Sequence, residues 1–188
     1  MESSETFERL YRTYISQIYA FILRFIGNAD DAEELAAETF LRAYQNISQL
    51  RDISRASAWL HKIAYNLCVD TVRKRDRIQY VYLDNDQTEE VLSILETLAN
   101  DAPIPSVLAE NQEIVEFMQS ALSRLPSDYQ AVLILGELEG KRNDEIANIL
   151  GRSPKAVKSL RQRAKKALKQ EVLKSLQRRN VDVKDFLS

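Results

Sequence analysis

One cysteine, one histidine, four glycines and four prolines are all that 188 residues contain of those types. A lone Cys68 excludes an internal disulfide framework and any cysteine-rich zinc site, which suits a reducing compartment. It lies in an apolar helical stretch and reads as a small core residue. His61 has no obvious acid–base or metal partner and reads as a helix-surface residue. There is no glycine-rich phosphate loop, no metal-ligand cluster and no nucleophile with a nearby base, so enzyme chemistry finds no support and neither cofactor nor metal is expected. No apolar run approaches the roughly 18 residues of a membrane span, and the opening MESSETFERL lacks a basic-then-apolar leader, so a soluble, cytoplasmic protein is expected. Few glycines and prolines beside 45% hydrophobic residues predict an all-α fold.

The net charge of −2 conceals strong segregation. Residues 1–50 sum to −4 and residues 51–80 to +4. Residues 81–140 sum to −11 and residues 141–188 to +9. Two cationic blocks separated by an acidic one predict two polyanion contacts on one chain.

Hydrophobic spacing divides the chain further. Residues 5–26 carry Phe7, Leu10, Tyr11, Ile15, Ile18, Phe21, Ile22 and Phe25 at intervals of three and four, a long amphipathic helix that Gly27 ends. A second helix runs to about Asn46, with Asp30 as its cap and Leu35, Phe40, Tyr44 and Ile47 inward. Its other side shows Glu34, Glu38 and Leu41, which suits a partner surface. Ser48–Ser57 reads as a polar loop carrying Arg51 and Arg55. Ala58–Arg75 is a helix with Leu60, Ile63, Ala64, Leu67 and Thr71 inward, and it closes on the cluster Arg73, Lys74, Arg75, placed for phosphates. The expected organisation is a helical bundle at 1–76, an acidic linker at 77–106 with a short helix at Val91–Leu98, a second helical domain at 107–174 and a tail at 175–188. In the second domain Val107–Leu122 is helical, and Ser127 with Gln130 forms a capping box for Asp128–Glu139.

Asn143–Lys169 carries the sharpest pattern. Asn143 caps a short helix with Ile146, Ala147 and Leu150 on one face, and Gly151 follows where a left-handed residue is needed. Ser153 caps a second helix with Pro154 at its first position. Val157, Leu160, Ala164 and Leu168 form an apolar stripe, opposite Lys155, Lys158, Ser159, Gln162 and Lys166. Two helices joined by a tight glycine turn, the second cationic, describe a helix-turn-helix whose second helix enters a major groove. An ordinary helical hairpin with a solvated basic face has the same spacing.

Taken together, DAEELAAETFLRAY (Asp31–Tyr44), AWLHKIAYNLCVDTVRKR (Ala58–Arg75) and Leu125–Leu168 resemble, in order, a bacterial RNA polymerase sigma factor of the extracytoplasmic-function group of the sigma-70 family. The resemblance implies a non-catalytic protein that binds core RNA polymerase (clamp helices and flap), directs it to promoter DNA and helps melt the −10 element. It implies core-polymerase contacts at Glu34, Glu38 and Leu41. It implies −10 contacts at Leu50, Arg51, Arg55, Trp59, Lys62, Asn66, Arg73, Lys74 and Arg75. It implies −35 contacts at Arg152, Lys155, Lys158, Ser159, Gln162, Arg163 and Lys166. An anti-sigma factor, often membrane-anchored, is the implied restraint. The chain departs from the family at three points. Ala37 replaces the usual Gln before the second acid, Lys141-Arg142 replace Leu-Ser, and Leu160-Arg161 reverse the common Arg-Leu order. The competing reading is a one-component repressor or activator with a dimerising or ligand-sensing bundle, which leaves the Ala58–Arg75 cations and the Glu34/Glu38 side unexplained.

Overall fold

The computed structural model describes residues 2–75 and 112–179, and their regular structure is all helical. Helix α1 (Glu2–Ile26) ends at Gly27, which adopts φ 75°, a conformation open to glycine and strained for other residues. Helix α2 (Ala29–Gln45) is capped by Asn28, whose side chain accepts the Asp31 N–H at 3.0 Å. The predicted cap, Asp30, lies inside the first turn instead, because the helix starts two residues earlier, directly after the turn at Gly27. Its charge still favours the positive helix end.

The buried stripe of α2 is Ala32, Ala36, Phe40 and Ala43. Three of these are alanines, which allow close helix approach and rotate the stripe away from the expected positions. Leu35 and Ile47 are consequently half-buried, and Tyr44 is exposed. The polar segment that follows is ordered by 3-10 turns at Ile47–Gln49 and Ile53–Arg55. Asp52 caps the second turn, accepting the Ser54 N–H at 2.9 Å and its hydroxyl at 2.7 Å. Helix α3 (Ala56–Arg75) then buries Leu60, Ala64, Leu67 and Cys68.

The C-terminal unit comprises α4 (Gln112–Ser123), α5 (Ser127–Leu133), a π-helical turn (Ile134–Leu138), α6 (Asn143–Leu150) and α7 (Pro154–Arg179). The expected Ser127/Gln130 capping box does not form. Pro126 is the cap, and the Gln130 amide is buried, donating to the Leu125 carbonyl at 2.8 Å. Residues 131–135 are all buried, since this stretch is enclosed on every side. Helix α7 runs past the expected boundary at 174, held by buried Leu176 and by Arg124 against Glu171 at 3.4 Å. The acidic linker at 77–106 with its Val91–Leu98 helix, the helix start at Val107 and residues 180–188 lie outside the described residues.

The two units share one continuous core. Ile18, Phe21, Ile22 and Phe25 of α1 and Leu60 of α3 belong to the same apolar cluster as Ile134, Leu135 and Ile146. Helix α3 packs against α1 and α2 and also against α6. Phe21 and Phe25 are essentially inaccessible, and each contributes about 2–3 kcal/mol by burial. A second tie joins α4 to the end of α1, where the Gln119 amide donates to the Arg24 carbonyl at 2.6 Å.

Candidate nucleic-acid and partner surfaces

The helix-turn-helix forms at the predicted place with one change of cap. Arg142, not Asn143, is the residue before α6, and its N–H donates to Glu145 at 2.8 Å. Asn143 instead begins the helix and accepts from Arg161 at 3.0 Å. Ile146, Ala147 and Ile149 are buried, with Leu150 only half-buried. Gly151 closes α6 at φ 65° and ψ 37°, as the turn requires. Ser153 accepts the Ala156 N–H at 3.2 Å, with Pro154 at the first helical position. Val157, Leu160 and Ala164 face the core, which leaves Lys155, Lys158, Ser159, Gln162, Arg163 and Lys166 exposed on α7. Arg152 differs from these, because its guanidinium is paired with Asp128 of α5.

A second cationic surface lies on α3 and the turns before it. Arg51 and Arg55 are exposed, and Arg55 lies 3.6 Å from Asp52. The Ser54 hydroxyl and N–H hold the Asp52 carboxyl below its ordinary range. Leu50 is half-buried, and Trp59 is half-buried against the core. Lys62, Asn66, Arg73 and Lys74 are exposed. Lys62, Asn66 and Arg73 follow one face at steps of four and seven, interrupted by exposed Asp70. The helix carries Arg75 as its last residue.

On α2, Glu34 is exposed, Glu38 pairs with Arg42 at 2.7 Å, and Leu41 is 51% exposed. Exposed Tyr44 and Tyr11 extend this side. Tyr44 meets Phe7 edge-on at 5.0 Å, and Tyr11 meets Phe40 edge-on at 4.9 Å. Helical periodicity assigned both tyrosines inward, because it cannot tell a rim from a core when an aromatic lies at the edge of a wide apolar face.

His61, expected on the surface, is fully buried. The C-terminal unit covers the side of α3 that a lone bundle would leave in water. Its Nδ1 lies 2.7 Å from the Ser57 carbonyl and its Nε2 3.0 Å from Glu139. Both ring nitrogens thus face oxygen atoms, one from its own helix and one from the other unit. Lys141 places its ammonium 3.2 Å from Glu139. Burial raises the Glu139 pKa, but the hydrogen bonds and charges of His61 and Lys141 hold it below its ordinary value. Further along α3, the Tyr65 hydroxyl donates to Asp128, the carboxylate that also holds Arg152. Burial, then the Asp128 bond, push the Tyr65 phenol up. Sequence offered no signal for these pairs, whose partners are 63 and 78 residues apart.

Residues 10–78 match the Sigma-70 region 2 family, and residues 118–168 match Sigma-70 region 4. The chain is 31% identical over 169 residues to the ECF RNA polymerase sigma factor SigW of Bacillus subtilis, covering 89% of each protein. The chain belongs to the ECF sigma factors. SigM of Bacillus subtilis is 30% identical, over 87% of this chain and 93% of its own length. The fold is similar to that of the sigma factor RpoE of Bartonella quintana, solved in complex with the anti-sigma factor NepR, with a TM-score of 0.62 and 22% identity over 89% of this chain and 96% of that one.

As an ECF sigma factor the protein initiates transcription at specific promoters as a non-catalytic subunit of RNA polymerase. Its region 2 match takes in the α2 surface, the Asp52 turn and α3. Its region 4 match takes in the helix-turn-helix. Among the described residues no helix is long and apolar enough to cross a membrane.

Proposed function

We propose that this sigma factor divides its work among the three surfaces described above. Glu34, Glu38 and Leu41 of α2 meet the clamp helices of core polymerase, and the C-terminal unit meets the flap. The turn at Leu50–Arg55, with Trp59, Lys62, Asn66 and the Arg73–Arg75 cluster, holds the melted −10 strand. Bases leave the stack there at a cost of a few kcal/mol each, offset by stacking and phosphate contacts. Lys155, Lys158, Ser159, Gln162, Arg163 and Lys166 of α7 read the −35 duplex, and Arg152 joins them once released from Asp128. The protein works in the cytoplasm, and an anti-sigma factor restrains it.

The observation that carries this division is the pattern of exposure. Lys62, Arg73 and Lys74 of α3 and Lys155, Lys158, Arg163 and Lys166 of α7 stand in solvent, while their apolar neighbours fill one core. The same packing demands a conformational step. Helices α3 and α6 touch, whereas the family's promoter elements lie about 17 base pairs apart, roughly 58 Å at ~3.4 Å per step. One chain reads both elements only after its units separate, and a segment such as 77–106 spans up to about 100 Å when extended. Core polymerase supplies the surface that holds them apart.

Run-off transcription and footprinting with purified core polymerase test this division. The expected footprint appears with polymerase and covers two unlike elements at a set distance. A strong two-fold symmetric footprint from the protein alone would overturn it.

A further inference from the structure

Arg161 lies in α7 between buried Leu160 and exposed Gln162, but its guanidinium turns back toward its own unit. Nε and Nη2 donate to Glu137 Oε1 at 3.1 and 2.6 Å, and Nη1 donates to Asn143 Oδ1 at 3.0 Å. Glu137 belongs to the π turn and Asn143 opens α6, so one side chain ties both helices of the helix-turn-helix to the turn before them. Lys165, one turn further along α7, places Nζ 3.0 Å from Glu137 Oε2. Burial raises the Glu137 pKa, yet the bonds from Arg161 and Lys165 hold it below the ordinary carboxylate range. Gly136 completes the fit. A Cβ there would lie 2.9 Å from Arg161 Nε and 3.0 Å from its Cζ, so a side chain at 136 would displace the guanidinium.

We propose that Arg161 is a positioning residue, which sets the angle of α7 in the major groove through Glu137 and Asn143 and does not itself touch DNA. This rests on the assignment of α7 as the −35 reader. Three of the five guanidinium N–H groups are already committed, which fixes the group's plane against Glu137 and Asn143 and turns its charge toward its own unit. The Leu160-Arg161 order, reversed from the family's, gives the buried position to leucine and sets the cation facing Glu137.

The test measures holoenzyme affinity for a promoter duplex recovered by run-off transcription, as a function of salt, for Arg161→Ala, Arg161→Lys, Glu137→Gln and the Arg161→Ala/Glu137→Gln double variant. Arg161→Ala and Glu137→Gln are each expected to lose on the order of fivefold to tenfold in affinity, with the double variant no worse than either. Preference over a duplex with a scrambled −35 element falls by the same factor, and the slope of log affinity against log salt stays unchanged. Arg161→Lys, which keeps the Glu137 bond without the Asn143 arm, recovers part of the loss. A phosphate contact would instead lower the salt slope by about one, and Glu137→Gln would then tighten binding by freeing the guanidinium. Either result, or no loss in Arg161→Ala, overturns the proposal. If Arg161→Ala melts too early to assay, the sign of the Glu137→Gln effect decides. Gln162→Ala separates the two levels: if it leaves −35 preference intact, the assignment of α7 fails and the proposal falls with it.

Discussion

His61 Nε2 lies 3.0 Å from Glu139 Oε2 across the seam between the two helical units, with both side chains shielded from water. Glu139 Oε1 finds no hydrogen-bond partner among the described residues. A buried polar contact of this kind adds little to stability compared with an apolar seam, because desolvation offsets most of its attraction. It does make the seam sensitive to loss of either partner. That suits the separation of the units proposed above.

His61→Ala leaves Glu139 buried beside Lys141 alone and should loosen the seam. Small-angle scattering of the variant should show a larger radius of gyration than the parent chain. An unchanged radius would mean that apolar packing alone holds the units together.

Glu139 sets an acid limit on the same contact. Its folded pKa lies below the ordinary 4.5, so its contribution is fully present above that value and drains away as pH falls through the lower folded one. Urea unfolding of the parent and of Glu139→Gln should differ by about 1–2 kcal/mol at neutral pH. The difference should shrink toward zero below pH 4.5. A gap that persists undiminished in acid would show that the ionised carboxylate is not what matters.

Reversing Glu34 and Glu38 to Lys should abolish co-purification with core polymerase. Both residues lie off the buried stripe of α2, so stability should change by no more than about 0.5 kcal/mol each, apart from the exposed Arg42 pair. A collapse in melting temperature would assign them a structural role instead.

Phe21 is fully buried and meets His61 edge-on at 5.4 Å. Phe21→Ala should cost about 3–5 kcal/mol, and both units should melt in a single shifted transition. Two resolved transitions would show that the units are energetically independent despite their shared core.

Much of the fold was legible because it is written at short range. Gly27, Gly151, Ser153 and Pro154 announce helix ends through their own backbone preferences, and Val157, Leu160 and Ala164 announce a core face by spacing alone. The exposed cations of α7 follow from that stripe by elimination. The rest needed distance. Asn28 took the cap from Asp30 because the helix began two residues sooner, and Gln130 turned inward to a carbonyl that no capping pattern names. His61 looked like a surface residue because nothing within a helical turn of it predicts Glu139. Arg161 looked like one more cation on a basic helix, and only Gly136 and Glu137, some 24 residues away, reveal where its charge is spent.

A core that runs through both units gives their separation a thermal signature. Parting them hydrates apolar surface, which raises the heat capacity by about 0.45 cal/K/mol for each Å² exposed, while docking on polymerase buries apolar surface and lowers it. Titration calorimetry of assembly should therefore return a heat-capacity change less negative than the contact area with polymerase would dictate. The His61→Ala chain, with its seam already loosened, should return a more negative one.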